Sequence, residues 1–159
     1  MKWLGLDWDE GPQAEGDFGP YHQSQRVDMY QAAIEKGMAE GWLYRCFATS
    51  DELESQREDA RSNKVNWQHD ARWRELPADE SQAKADAGDA FVIRFRVTAG
   101  ELIVVKDHIR GEVKFSSDEV EDWVAVRSNG MPTYNFVCAI DDAAMEISHV
   151  IRGQEHLVN

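Results

Sequence analysis

From residue 24 to residue 41, apolar side chains recur at the spacing of one helix face. Val27, Tyr30 and Ile34 stand three and four positions apart, with Ala32 and Ala33 between them. That period buries one stripe of a helix and leaves the rest to water, so the segment is predicted helical with Ser24 as its N-cap. Residues 42–47, Trp-Leu-Tyr-Arg-Cys-Phe, are short and aromatic-rich and read as a strand. A second helix starts at Thr49-Ser50-Asp51-Glu52, where a hydroxyl can cap the first amides and two carboxylates sit at the positive end of the helix dipole. It runs polar to Asn63, as a solvated face.

Residues 64–90 mix turn and polar residues and end in a low-complexity stretch over 78–88, read as a surface loop or a marginal short helix. The period then changes to two. Residues 91–97 alternate cleanly, Ala99-Gly100 turns the chain, and 102–105 with 111–115 continue a small antiparallel sheet. Residues 123–128 form another strand, closed by the hairpin dipeptide Asn129-Gly130. A helix is predicted over 133–140 and a buried strand over 147–152. The opening, residues 1–8, has the spacing of the last turns of an amphipathic helix with Gly5 as its stop. Such a helix needs several turns before it, and a new one begins near Asn159. Both ends read as cut from a larger α/β domain.

Composition narrows the picture. A chain of 159 residues is one domain, or one domain with an elaborate insertion. It carries 17 basic and 30 acidic side chains, a formal charge of −13, which excludes a generic polyanion binder but not one local basic face. Six Trp and six Phe in a chain 42% hydrophobic exclude a disordered acidic tail. No basic-then-apolar leader is present at the start, and no stretch approaches the roughly 20 apolar residues of a membrane helix. The expectation is a soluble, cytoplasmic protein with no membrane partner. Cys46 and Cys138, the only cysteines, do not make a disulfide scaffold and read as reduced thiols.

Two stretches go beyond pattern. Pro132-Thr133-Tyr134-Asn135-Phe136, then Asp141-Asp142, then residues 149–157, His-Val-Ile-Arg-Gly-Gln-Glu-His-Leu, resemble the glutamyl-tRNA synthetase family. So do residues 2–12, Lys-Trp-Leu-Gly-Leu-Asp-Trp-Asp-Glu-Gly-Pro, and Gln23-Ser24-Gln25-Arg26, with Ile109-Arg110-Gly111 between them in order. The resemblance covers essentially the whole chain.

It implies a class I synthetase, which activates glutamate with ATP and Mg2+ and attaches it to tRNA. The implied fold is α/β: a partial Rossmann-like catalytic domain with an α+β insertion that holds a small antiparallel sheet. Residues 1–43 and 131–159 would be catalytic-domain pieces, and 44–130 the insertion that grips the tRNA acceptor end. By the resemblance, Tyr134 and Arg152 contact the substrate glutamate, Cys138 lines the same pocket, and Glu155 lies on the ATP side. A planar guanidinium offers paired donors to a carboxylate, which suits Arg152 to that role.

The departures from the family pattern matter as much. The His-Ile-Gly-His-type and Lys-Met-Ser-Lys-type ATP signatures are absent from these residues, and so are the arginine and acidic residue that complete the glutamate pocket. Adenylate formation depends on such groups, so no catalytic set is complete here and the chain alone is expected to be inactive and to bind no cofactor. Zinc, which some relatives hold in the insertion, is not expected: Ala48 and Trp73 stand where thiolates would, and one thiolate cannot build a four-ligand shell. Neither His69 nor the other four histidines show ligand spacing. Arg72 and Arg74 are the candidate tRNA contacts, for weak binding to the acceptor stem. Two other readings remain open at this stage. One is a stand-alone, non-catalytic module that binds tRNA or protein; the other is a piece of the shorter paralogue that glutamylates a modified tRNA base.

Overall fold

The period-3.6 pattern of residues 24–41 becomes helix α1, Val27–Glu40. The structure, a computed structural model, describes residues 2–14, 16–64 and 71–157. A 3-10 turn over Gln23–Gln25 precedes α1, so Ser24 does not cap it as the pattern predicts. The chain leaves His22 extended and tightens through Gln25 N–H to the His22 carbonyl and Arg26 N–H to the Gln23 carbonyl, which places Ser24 inside the turn. At the opening, another 3-10 turn spans Lys2–Leu4 and Gly5 takes a left-handed φ of +69°, the stop read from sequence.

The chain forms two units, residues 1–36 with 132–159, and residues 37–131. In the first, helix α4 (Tyr134–Ala144) follows an extended Thr133. Among the described residues, Tyr30, Ile34, Phe136 and Val137 are the unit's buried apolar ones. Residues 147–152 form no strand, against expectation, and Ile151 is fully exposed. A strand exists only against a partner, and no described strand pairs with this segment. A 3-10 turn over Gln154–His156 follows it.

The second unit is built on a three-stranded antiparallel sheet. Its strands are β1 (Leu43–Cys46), β2 (Val92–Phe95) and β5 (Val124–Val126), in the order β1-β2-β5. Leu43 pairs with Phe95 and Cys46 with Val92, and a bulge interrupts β2 against β5 at Ile93/Arg94. Leu43, Tyr44, Cys46, Phe47, Ala125 and Val126 are buried. Phe47 makes ring contacts with Trp73 and Phe91, and Phe95 stacks on Trp123. Helix α2 (Ser50–Ser62) buries nothing but carries a complete capping box: Thr49 accepts from the Glu52 N–H, and Glu52 accepts from the Thr49 N–H. Its start was legible because the cap is local chemistry. The 78–88 stretch contains a real helix, α3 (Ala78–Asp86).

Among the described residues, strands β3 (Leu102–Asp107) and β4 (Gly111–Ser116) pair only with each other and do not continue the sheet as expected. Their turn is closed by Asp107, whose carboxylate accepts from the backbone of Ile109 and Arg110. Those two bonds hold the Asp107 carboxyl below the usual carboxylate range. A hairpin that closes its own turn and ladder satisfies most of its amides without the larger sheet.

Candidate functional site

Helix α4 carries two of the residues singled out by resemblance. Tyr134 opens it and Cys138 follows one turn later, which places both on one face. The Tyr134 ring is mostly exposed. Its hydrogen bond with Cys138 raises the Tyr134 hydroxyl above the usual tyrosine range. Negative charge on the Cys138 sulfur adds to this, Arg152 opposes it and Asp142 adds a smaller share. Tyr134, Cys138, Arg152 and Asp142 are therefore near enough to feel one another. A phenol, a thiol and a guanidinium are each donors that a carboxylate can accept from. Glu155 folds back over its own turn: a Cβ on Gly153 would stand 2.5 Å from Glu155 Oε1. His156 Nε2 lies 3.8 Å from the same oxygen.

Sequence reasoning missed what holds α4. Asp141 lies at its C-terminal end, and Arg26 donates from Nε to Asp141 Oδ1 at 2.7 Å. The Tyr30 hydroxyl stands 2.9 Å from both carboxylate oxygens. Arg26, only 2% exposed, also donates from Nη1 to the carbonyls of Pro20 at 2.9 Å and Phe18 at 3.4 Å. Its buried Nη2 has no hydrogen-bond partner among the described residues. The available signal was the spacing of Arg26, Tyr30 and Ile34, each four apart, which puts a cation on the apolar stripe of α1.

Burial first, then the hydrogen bond and charge of Asp141, push the Tyr30 hydroxyl up to about 12. The folded state thus prefers neutral Tyr30 more than the unfolded state does. The stabilisation is complete below the unfolded value near 10 and is lost as pH rises from there through 12. Urea midpoints taken across that window are expected to fall with pH, and a Tyr30→Phe variant is expected to lack that part of the decline.

The candidate RNA contacts lie in the 37–131 unit and face different partners. Arg74 donates from Nη1 to both Asp122 oxygens, at 3.1 and 3.3 Å, and from Nη2 to the Val97 carbonyl at 2.9 Å. Asp122 is nearly buried and also accepts from the Tyr44 hydroxyl and the Val97 N–H, each at 2.8 Å. Arg94 donates to the Asp122 backbone carbonyl at 2.6 Å. Arg74 therefore ties a loop to the sheet. Arg72, about half exposed, pairs with Glu52 at 2.7 Å and stacks 4.5 Å over the Trp73 ring. The Thr49 N–H, with Arg72 next, holds the Glu52 carboxyl below its usual range.

Cys46, where a zinc-binding cysteine was considered, is buried in β1, and His69 lies outside the described residues. Among the described residues no three His, Cys, Asp or Glu side chains converge to hold a metal ion. No described helix is long and apolar enough to cross a membrane. A separate cleft of about 610 Å³ in the first unit is lined by turn residues including Gly11, Gly16, Gly19, Pro20 and His22, and by none of the α4 residues above.

Comparison with known proteins gives a consistent result. Residues 1–159 match the family of tRNA synthetases class I (E and Q), catalytic domain. The glutamate–tRNA ligase 2 of Caldicellulosiruptor saccharolyticus is 45% identical over the whole of this chain, which covers 33% of that protein. The glutamate–tRNA ligase of Desulfitobacterium hafniense is 44% identical over the same extent, again 33% of its length. Among solved structures, a glutamate tRNA ligase from Elizabethkingia meningosepticum in complex with its amino acid superposes with a TM-score of 0.84 at 33% identity. That superposition covers 99% of this chain and 33% of the other. The chain thus spans about a third of the length of the relatives it matches.

Proposed function

Because this chain belongs to the catalytic-domain family of the class I tRNA synthetases for glutamate and glutamine, we propose that it supplies part of a glutamate-binding pocket and a tRNA acceptor-end insertion to an ATP-dependent glutamate–tRNA ligase. The observation that carries this reading is the placement of Tyr134 and Cys138 one turn apart on α4, with the charge of Arg152 acting on the Tyr134 hydroxyl. Arg152 is assigned to a substrate carboxylate, Tyr134 and Cys138 to its orientation, and Glu155 to the ATP side. Residues 44–130 are assigned to the insertion, and Arg72 and Arg74 to its tRNA contacts, with Arg72 the more exposed of the two.

ATP and Mg2+ belong to the complete ligase reaction. Among the described residues no group of three His, Cys, Asp or Glu side chains is placed to hold a metal ion. Within these residues the chemistry is recognition: donors are held where a carboxylate arrives. Without the ATP-handling signatures, the purified chain is expected to form no glutamyl-tRNA. With a charge of −13, its tRNA binding is expected to be weak, in the roughly 10⁻⁴ to 10⁻⁶ M range, and steeply weakened by salt.

The decisive experiment is an L-glutamate titration followed by amide NMR. Shifts are expected on α4 and near residue 152, with L-glutamine binding more weakly. Losing a charge-assisted hydrogen bond is worth about 1.5–3 kcal/mol, so Arg152→Ala is expected to weaken glutamate by roughly 10- to 100-fold. Equal affinity in wild type and variant would overturn the assignment of Arg152.

A further inference from the structure

We propose that Asp141, with the buried Arg26 and Tyr30, is the positioning element of the glutamate-recognising helix α4, so that these three residues set substrate affinity without touching substrate. The inference rests on the assignment of Tyr134, Cys138 and Arg152 to glutamate, and it concerns a different part of the unit.

The geometry is that of a register lock. Seven residues separate Tyr134 from Asp141, close to two helical turns, so the two stand on one side of α4. Tyr134 is open to solvent, while Asp141 is held. Arg26 engages one carboxylate oxygen from the side at 2.7 Å, and Tyr30 stands 2.9 Å from each of the two. The same guanidinium holds the Pro20 carbonyl at 2.9 Å, so the 18–20 loop, the start of α1 and the far end of α4 meet at one side chain.

Phe136 and Val137 fix which side of α4 is buried, since a shift by one residue would turn the helix by about 100° and carry both out of the core. Displacements of about 1 Å leave those apolar contacts in place, and it is these displacements that a polar clamp resists. A buried ion pair contributes little net stability but admits one geometry, and misplacement of a recognition group by about 1 Å can cost two orders of magnitude. Asp141 therefore fixes where Tyr134 and Cys138 present their hydroxyl and thiol.

The test uses this chain with Tyr30→Phe, which keeps the ring, and Asp141→Asn, which keeps the shape. Three quantities are measured: the L-glutamate dissociation constant by NMR, the urea midpoint, and the rate at which iodoacetamide alkylates Cys138. Cys46 is 1% exposed and does not compete for the reagent. Ile34→Val, which trims the same unit's core without removing a polar group, is the stability control. Both clamp variants are expected to weaken glutamate by about five- to tenfold and to change the Cys138 rate severalfold. Ile34→Val is expected to lower the urea midpoint and change neither. Unaltered glutamate affinity and an unaltered Cys138 rate in the clamp variants would overturn the proposal, as would equal effects in Ile34→Val. If the wild-type chain binds no glutamate, the pocket assignment fails, and the Cys138 rate alone still decides whether the clamp positions α4.

Discussion

Replacing Asp122 by alanine is expected to destabilise the 37–131 unit by about 3–5 kcal/mol, the cost of removing one partner from a buried charge network. The carboxylate is 9% exposed and satisfies Arg74, the Tyr44 hydroxyl and the Val97 N–H. Its removal leaves a partly buried guanidinium, a buried phenol and a backbone donor unmatched at once. The Tyr44 hydroxyl shows how dry the site is: burial first, and Asp122 next, push it far above the usual tyrosine range. Arg94 keeps its bond to the backbone carbonyl of residue 122 in the variant, so the loss stays short of the network's full worth. Asp122→Asn preserves shape and part of the hydrogen bonding and is expected to cost less than the alanine change. Urea dependence of hydrogen exchange at the β1 and β2 amides reads the effect locally. A loss under about 1 kcal/mol for Asp122→Ala would show that the carboxylate is dispensable.

The second large effect lies at the junction of α1 with β1. Leu43 is 2% exposed, and its truncation to alanine is expected to cost about 2–5 kcal/mol through lost burial and the cavity left behind. The helix above it has been thinned to admit it. A Cβ on Gly37 would stand 2.6 Å from Leu43 Cδ1, 2.7 Å from its Cγ and 2.8 Å from Trp42 Cη2. Gly37→Ala alone thus sets a helix-propensity gain of about 1 kcal/mol against a clash costing about 1–3 kcal/mol. In Leu43→Ala the two leucine atoms are gone and only the far end of Trp42 remains. The double variant is therefore expected to be more stable than Leu43→Ala by about 1 kcal/mol, while Gly37→Ala in the wild type is neutral or worse. Strict additivity of the two changes would refute this account of the glycine.

What was legible in the sequence follows from the range of the interactions that fix it. The Thr49 cap, the stop at Gly5 and the α1 stripe are decided within a few residues, and the structure has them in place. The strand expected over 147–152 failed because an apolar run does not name its partner, and no described strand supplies one. The separate β3–β4 hairpin failed for a related reason: alternation marks strands but not which sheet they join. In the candidate site, Tyr134, Cys138 and Arg152 were read through family resemblance, since an exposed tyrosine and arginine carry no periodic signal. Asp122 was not read at all, and Asp141 was read only as part of a family motif, not as the partner of Arg26. A buried carboxylate looks like any surface acid until its partners arrive, here from as many as 78 residues away for Tyr44 with Asp122 and 115 for Arg26 with Asp141.

That last separation orders the events of synthesis. At about 5–20 residues per second, a ribosome that has just added Arg26 needs roughly 6 to 23 seconds more to add Asp141. Every residue of the 37–131 unit is made in the interval, so that unit has its whole sequence in hand before the ion pair of the first can form. During that time the guanidinium of Arg26 is a hydrated cation on an open chain. Its dehydration, and with it the seating of α4, waits until Asp141 has been made.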